Sequence, residues 1–211
     1  MKLKSIPLVP SRLAKRAHFE QESIYPILDE ALFCTISYVS EGDPFSIPTA
    51  FVRYKNKIYI HGSVGSHFIL ELAKGNPACI SITLMDELVI AKSAFHHSIN
   101  YRSVVIFSRA EKIEDPVLKT DAFRWLTEKM VPGSWDYLRP VKPSEVKMTM
   151  ALSFDLKEAS AKIRIGMPSD DEEDRNLPIW SGLIPFQKGK MNPVPDTLSK
   201  DIPIPPHLKM V

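Results

Sequence analysis

Between residues 33 and 165 the chain is a succession of short, strand-length runs of β-branched and aromatic residues, each closed by a turn signal. Residues 33–39 end at Ser40-Glu41-Gly42-Asp43-Pro44, and residues 46–54 end at Lys55-Asn56-Lys57, before a further run over 58–61. Such spacing is typical of a meander of antiparallel strands. Three more runs are predicted as strands at 78–84, 88–94 and 101–113, and a last long one at 148–165. The pattern predicts a mainly β fold, a β-barrel with helices packed on its outside.

Three segments with helical periodicity interrupt these runs. Ser23 is suited to cap a helix that carries apolar residues at i, i+3, i+4 and i+7 and ends near Ala31. A second helix is predicted over 66–74, where Gly75-Asn76-Pro77 stops it. A third helix begins at Asp115-Pro116 and closes at Pro132-Gly133.

The composition changes towards both ends of the chain. We divide the sequence into an N-terminal arm (1–22), a barrel domain (23–165) and a Pro-rich C-terminal extension (166–211). The extension holds eight of the eighteen prolines, so it cannot continue a regular sheet or helix for long. It either wraps over the barrel or is partly disordered. Wrapping is favoured because Trp180 and Phe186 would otherwise be exposed to water.

The charge balance limits the partners that the chain can have. Lys and Arg together number 27 and Asp and Glu together 25, so the net charge is 27 − 25 = +2. A concentrated basic face for nucleic-acid phosphates is therefore not expected. No apolar run approaches the length of a membrane span, and the N-terminus lacks the apolar core of a signal peptide. Cys34 and Cys79 lie within apolar runs and are expected to be buried free thiols, so we expect a cytoplasmic protein.

The first segment that could carry chemistry is Tyr59-Ile60-His61-Gly62-Ser63-Val64-Gly65-Ser66-His67. A strand here runs into a glycine- and serine-rich turn, and a helix begins near Ser66. Free backbone N–H groups at a helix start, with serine hydroxyls beside them, are suited to bind a phosphate. The alternative is a tight turn followed by an N-cap serine. The Gly-Lys-Ser/Thr ending of a nucleotide-binding P-loop is missing.

The second segment, residues 91–103, places polar side chains between two strands. Neighbouring residues on a strand point to opposite faces, so His96 and His97 are not expected to share a metal, and we predict no metal site. A polar hairpin tip or a dimer contact are the simpler interpretations. Arg102 beside Tyr101 is suited to an anionic or planar ligand, through a two-pronged hydrogen bond and stacking. A carboxylate such as Asp86 or Glu87 is the structural alternative for Arg102.

These two segments, together with others, resemble a known family. The sequence resembles the FMN-binding split-barrel proteins related to pyridoxamine 5′-phosphate oxidase, and within them the nitroimidazole-resistance (Nim-like) branch. The matching pieces occur in one order over roughly residues 10–187, and they are 27–30, 45–49, 59–63, 92–105, 162–168, 170–172 and 178–182. The long central piece is specific, whereas each short piece is weak by itself.

The resemblance implies a homodimeric six-stranded FMN-binding split β-barrel with the cofactor at the dimer interface. The residues that it carries onto this chain as FMN contacts are Ile47, Pro48, Thr49, His61, Gly62, Ser63, Ser66, His67, Lys92, Ser93, Asn100, Tyr101 and Arg102. Ser66 and His67 meet the phosphate in this prediction, and some of the later residues come from the second subunit. His67 stands where many oxidase relatives have Lys or Arg, so backbone donors and Arg102 are expected to contribute more to phosphate binding.

We therefore expect an FMN-dependent oxidoreductase that acts on a small planar compound. His61 is the predicted catalytic side chain, as a hydrogen-bond donor or proton relay, because its ordinary pKa lies near neutral pH. The alternative for this residue is a structural histidine of the core. The alternative for the protein is a dimer that binds or carries a flavin without turnover, or a barrel that holds haem instead.

Overall fold

The computed structural model describes residues 16–186, 193–199 and 201–210. These residues form eleven strands: β1 (Ala17–His18), β2 (Phe33–Ser40), β3 (Asp43–Ala50), β4 (Val52–Tyr54), β5 (Lys57–Ser63), β6 (Pro77–Ile90), β7 (Ser98–Arg109), β8 (Glu111–Lys112), β9 (Thr149–Asp155), β10 (Ala159–Arg164) and β11 (Gly182–Pro185). The helices are α1 (Gln21–Glu30), α2 (His67–Ala73), α3 (Pro116–Met130) and α4 (Pro143–Met148).

The strands form two antiparallel sheets that do not close on each other. The large sheet has the order β1-β10-β7-β6-β2-β3, with β11 beside the distal half of β6, and the small sheet has the order β4-β5-β9-β8. The mainly β split-barrel fold predicted from the sequence is confirmed. The runs predicted at 78–84 and 88–94 are a single strand, β6, whose pairing with β7 shifts at a bulge between Met85 and Glu87. The long run at 148–165 is divided into β9 and β10.

The main core lies between the inner faces of the two sheets. Alternate residues of β2, β6 and β7 point inward and are fully buried, as the strand period of two requires. They meet Ile58 and Ile60 of β5 and Leu152 and Phe154 of β9. Helices α1 and α2 add Leu28, Ile69 and Leu72 to this core. Each fully buried aliphatic side chain of this kind contributes about 1.5–3 kcal/mol to folding.

Helix α3 covers the opposite face of the small sheet. Asp115 caps the helix by accepting a hydrogen bond from the N–H of Val117 at 3.0 Å, as the sequence predicted. Trp125 stacks on Tyr54 with 3.8 Å between ring centroids. The helix therefore forms a second, smaller core with β4, β5 and β9.

Helix α1 begins earlier than the sequence predicted. The carbonyl of Glu20 accepts the amides of Ser23 and Ile24, so Glu20, not Ser23, is the cap residue. Ser23 lies in the first turn, and its hydroxyl donates to the Glu20 carboxylate at 2.5 Å. Ser23 therefore belongs to the first turn of α1 and does not cap the helix.

The C-terminal extension adds β11 to the large sheet, but it does not bury its largest side chains. Trp180 and Phe186 are 63% and 42% exposed in the single chain. Cys34 and Cys79 are free thiols, and burial raises the pKa of Cys34 to about 12. Cys79 is only half-buried. Within the described ranges, no helix is both long and apolar enough to cross a membrane.

Candidate functional site

The turn between β5 and α2 is built by short-range backbone hydrogen bonds. The amide of Ser66 donates to the carbonyl of Ser63 at 3.0 Å, and the amide of Gly65 donates to the Ser63 hydroxyl at 3.2 Å. Ser66 is the cap residue of α2, and its side chain makes no capping hydrogen bond. Among the described residues, the first amides of α2 therefore have no side-chain partner, and they can donate hydrogen bonds to an anion.

Gly62 is required at its position by packing against α2. A Cβ atom on Gly62 would lie 2.6 Å from Cγ1 of Ile69, which is closer than nonbonded carbon atoms approach. The missing side chain lets α2 pack directly on β5, and this contact fixes where the helix begins.

Strand β3 lies beside the start of α2. The rings of Phe45 and His67 are 5.7 Å apart, and Phe45 stacks on Tyr38 at 5.3 Å. The residues predicted to line the flavin come two to four positions after Phe45 on the same strand. Ile47 and Thr49 are half-buried, and Pro48 is exposed. The described residues place β3 at an edge of the large sheet, where a proline costs no ladder hydrogen bond. The structure thus places the first half of β3 against His67 at the start of α2.

A buried carboxylate lies one helical turn behind this segment. Glu71 accepts hydrogen bonds from Lys74 and from the Ser40 hydroxyl, the latter at 2.8 Å, and these bonds lower its pKa. His67 lies 3.9 Å from the same carboxylate. Glu71 therefore connects α2 to the end of β2 and holds the His67 side of the turn in place.

His61 points to the other side of β5. Because strand residues alternate, Gly62 faces Ile69 of α2 while His61 faces α3, where its ring meets Phe123 edge-on at 5.3 Å. A pocket of about 370 Å³ opens here, lined by His61, Phe123, Thr127, Trp135, Leu138, Arg139, Val141, Glu145 and Thr149. His61 is exposed on the strand, yet the desolvation of its imidazole by the neighbouring side chains lowers its pKa, which favours the neutral form near pH 7.

The lining of this pocket was not found from the sequence. Arg139 pairs with Glu145 across its mouth, and Glu128 accepts the amides of Gly133 and Trp135 at 2.7 and 2.6 Å. The loop that carries Trp135 is therefore fixed by a carboxylate of α3. The helical pattern of α3 was visible in the sequence, but its packing over His61 depends on contacts between distant parts of the chain.

Lys92 and Ser93 lie at the far end of the β6–β7 hairpin and bind the chain's own groups. The backbone N–H of Lys92 donates to Asp170 at 2.7 Å, and its ammonium donates to the carbonyl of Leu177 at 2.5 Å. The carbonyl of Ser93 accepts from Nδ1 of His97 at 2.9 Å. His96 instead pairs with Asp171 at 3.2 Å, so the two histidines do point apart.

Asn100 is the most buried of the predicted cofactor residues, with 1% of its surface exposed. Its amide donates to Glu87 at 2.6 Å and to the carbonyl of Gly166 at 3.1 Å, and its oxygen accepts from Arg164. The side chain therefore ties β7 to the start of the C-terminal extension. Tyr101, next to it, is half-buried.

Arg102 has carboxylate partners within the chain. Its guanidinium donates to both oxygens of Asp86, at 3.0 and 2.6 Å, and to Glu30. These two carboxylates raise the pKa of the guanidinium. The structural alternative stated for Arg102, an Asp86 partner, is the arrangement observed. An anionic ligand must therefore displace or join these carboxylates.

The start of α2 and Arg102 lie at different levels of the large sheet, and the predicted β3 segment lies between them, because Pro48 is level with Ser81. Phe45, beside His67, is level with Tyr38 and Ala78, whereas Arg102 pairs with Leu84. Six residues of β6 separate these levels, about 20 Å along a strand. One chain therefore does not bring Ser66 and His67 together with Asn100 and Arg102. Among the described residues, no three His, Cys, Asp or Glu side chains are placed to hold a metal.

Comparison with known proteins gives full-length matches. The flavocytochrome Anf3 from Azotobacter vinelandii superimposes with a TM-score of 0.88 at 36% identity, over 94% of this chain and 93% of that one. The FAD and heme binding protein from Mycobacterium smegmatis gives 0.85 at 32% identity, over 92% and 96%. A candidate 5-nitroimidazole antibiotic resistance protein from Bacteroides thetaiotaomicron gives 0.60 at 19% identity, over 70% and 86%, which supports the fold alone.

A sequence model identifies the family of the chain. No curated protein matches the chain significantly. The model of the pyridoxamine 5′-phosphate oxidase family matches residues 20–163, which is more than half of the sequence. This span runs from the cap of α1 into β10 and includes both groups of predicted site residues. The chain belongs to the pyridoxamine 5′-phosphate oxidase-like family of split-barrel proteins.

Proposed function

We propose that the protein is a flavin-binding redox protein that works as a homodimer, with FMN as its flavin. The observation that carries this proposal is full-length similarity, at 36% and 32% identity, to a flavocytochrome and to an FAD- and haem-binding protein. A bound flavin supplies the electron or hydride transfer, while the protein supplies binding, orientation and electrostatics.

The start of α2 is the proposed phosphate site. Its first amides lack a side-chain cap, and Gly65 lets the backbone approach a ligand closely. His67 is largely exposed at this start, and backbone N–H groups are the main donors. Ile47 and Thr49 on β3 then border the ring of the flavin. These contacts remain predictions from the resemblance.

A second copy of the chain is needed to complete this site. Arg102 lies about 20 Å along the sheet from the level of the α2 start within one chain, and Asn100 and Lys92 lie farther along the hairpin. An isologous dimer would bring the second set from its partner. The outer face of the large sheet is suited to this contact. It exposes large apolar side chains from several strands, namely Phe33, Val39, Met85, Ile99 and Ile184.

Haem is a second candidate cofactor, favoured by the pocket around His61. A neutral imidazole is the form that binds iron, and the desolvation of His61 favours this form near pH 7. Phe123, Trp135 and Leu138 supply apolar walls, and Arg139 could exchange Glu145 for a propionate at the mouth. In this assignment His61 binds iron, and in the assignment from the resemblance it relays a proton to a flavin-bound substrate.

The absorption spectrum of the purified full-length protein tests the proposal. Flavin bands near ~370 and ~450 nm are expected, and a Soret band would add haem. Mass spectrometry of the released flavin then distinguishes FMN from FAD. A protein that retains no flavin after incubation with FMN or FAD contradicts the proposal.

Two further measurements assign the roles. His61→Phe should remove a Soret band while the flavin bands stay, whereas His18→Phe, at the edge strand β1, should change neither. Bleaching of the flavin by NADPH would support an oxidoreductase, and a flavin that no nicotinamide donor reduces would support the carrier alternative. A Soret band that survives His61→Phe rules out His61 as the iron ligand.

A further inference from the structure

Phe95 is presented to solvent at the tip of the β6–β7 hairpin. It lies in a short 3-10 turn, Ala94–His96, and it is 90% exposed. The turn around it is well fixed, because His97 binds the carbonyl of Ser93, His96 binds Asp171 and the amide of Lys92 binds Asp170. The Phe95 ring meets His96 edge-on at 5.1 Å, and most of its surface is free to contact a partner.

An apolar groove lies at the opposite end of the same hairpin, on the outer face of the large sheet. It measures about 580 Å³ and is lined by Ser37, Tyr38, Val39, Pro44, Phe45, Ser46, Pro77, Ala78, Cys79 and Phe107. Val39 is 57% exposed at its rim, and Cys79 is half-buried in its wall. Among the described residues, no charged side chain lines the groove, so it is suited to an aromatic ring.

The tip and the groove are placed so that, in a dimer, the tip of each copy can enter the groove of the other. The groove is level with the first residues of β6, and the tip follows its last residue, so the fourteen residues of β6 separate them by about 45 Å. In an isologous dimer with antiparallel β6 strands, each tip reaches the other groove. Met85, 57% exposed near the middle of β6, would then lie near the two-fold axis. The small side chains of Ser81, Thr83 and Ser103 around it let two sheet faces approach closely.

We propose that the Phe95 ring of each chain binds in the groove between Val39 and Phe107 of a second copy of the chain. This inference rests on the homodimer of the proposed function and adds the residues that make the contact. The exchange carries Lys92 and Ser93, next to the tip, towards Phe45 and His67 of the other copy. Lys92 and Ser93 thus come closer to the other copy's β3 edge than to their own, whereas Asn100 and Arg102, level with the middle of β6, stay near the two-fold axis.

The native Cys79 in the groove provides a direct test. Phe95→Cys in the full-length protein places a thiol at the tip, and oxidised glutathione can join it to Cys79 of the second copy. The two thiols lose two protons and two electrons, and one oxidised glutathione becomes two reduced molecules. We expect a disulfide-linked dimer on non-reducing gels with Phe95→Cys, and no linked dimer with the wild type or with Phe95→Cys combined with Cys79→Ser. A linked dimer that persists without Cys79 overturns the proposal, because the tips would then pair with each other.

A second variant tests the proposal even if the introduced thiol and the thiol of Cys79 come close without forming a disulfide. Phe95→Asp places a charge in the apolar groove and should raise the dimer dissociation constant roughly ten- to hundredfold in light scattering. Val117→Asp, at an exposed site on α3, is the matched control and should leave it unchanged. If Phe95→Asp stays dimeric with its flavin and Phe95→Cys forms no disulfide, Phe95 does not occupy the groove. The inference then fails, while the dimer of the proposed function stands. A wild-type protein that is monomeric with flavin bound instead overturns the dimer of the proposed function.

Discussion

Arg102 binds Asp86 through two parallel hydrogen bonds, from Nε to Oδ2 at 3.0 Å and from Nη2 to Oδ1 at 2.6 Å. Its remaining donors face Glu30, just before β2. The fork thus joins the β6 bulge, β7 and the end of α1. Such a pair depends on the planar guanidinium, which a lysine does not reproduce.

The first prediction concerns this fork. Arg102→Lys keeps the charge but loses the two-pronged geometry, so we expect the free energy of unfolding of the apo-protein to fall by about 2 kcal/mol. Arg124→Lys, at an exposed arginine paired with Asp121 on its own helix, should change the free energy of unfolding by less than about 0.5 kcal/mol. Urea unfolding of both variants is the measurement. If the stability holds while FMN affinity falls, Arg102 is mainly a cofactor residue.

Gly62 and Gly65 form a matched pair on either side of the 61–67 turn. Gly62→Ala puts a methyl group 2.6 Å from Cγ1 of the buried Ile69 and should destabilise the fold by about 1–3 kcal/mol. Gly65→Ala meets only the Ser63 hydroxyl, at 3.8 Å, and should be nearly neutral. Thermal unfolding compares the two. Equal melting temperatures would mean that α2 can move away from β5.

Ser66 tests the proposed phosphate site. A glutamate at this position places a carboxylate at the start of α2, where it should repel the flavin phosphate. We expect Ser66→Glu to lose most of the flavin that co-purifies with the wild type, measured from the ~450 nm band after gel filtration. Ser144→Glu makes the same change at the exposed start of α4 and should keep the flavin. Unchanged flavin in Ser66→Glu removes this turn from the site.

Lys129 gives a prediction for pH dependence. Its ammonium donates to the carbonyl of Leu28 at 2.8 Å and lies 3.7 Å from the centre of the Phe51 ring, and burial lowers its pKa from 10.5 to about 8. Between pH 8 and 10.5 the unfolded chain holds more protons at this site than the folded chain, so stability rises with pH in that window. The contribution is lost as the pH falls through 8.

Lys129→Met should remove this dependence. Between pH 7.5 and 10, the wild type should gain about 1–2 kcal/mol over the variant in urea unfolding, since water that reaches the half-buried ammonium screens part of the effect. Lys147→Met, at an exposed lysine of α4, should show no such gain. Parallel pH profiles for the wild type and Lys129→Met would show that the lysine keeps its ordinary pKa.

Much of the fold could be predicted from the sequence because the signals are local. The turn at Ser40–Pro44 ends one strand, and Asp115-Pro116 caps α3 through the carboxylate and the fixed φ of proline. The 61–67 turn and its helix could be predicted for the same reason. The full length of β6 could not be predicted from local signals. The bulge at Asp86 resembles the end of a strand when only neighbouring residues are considered.

The same distinction between local and long-range information applies to the candidate site. The sequence by itself determined which residues carry polar or cofactor-related chemistry, since Ser66, His67, Asn100 and Arg102 stand in recognisable segments. Only the tertiary structure decided where their side chains point and what they bind. Strand alternation sends His61 to α3 and Gly62 to α2, and Asp86 and Glu30 reach Arg102 from other elements. Sheet register then sets Arg102 about 20 Å along the sheet from the level of the α2 start, because pairing distances depend on long-range hydrogen bonds and not on spacing along the chain.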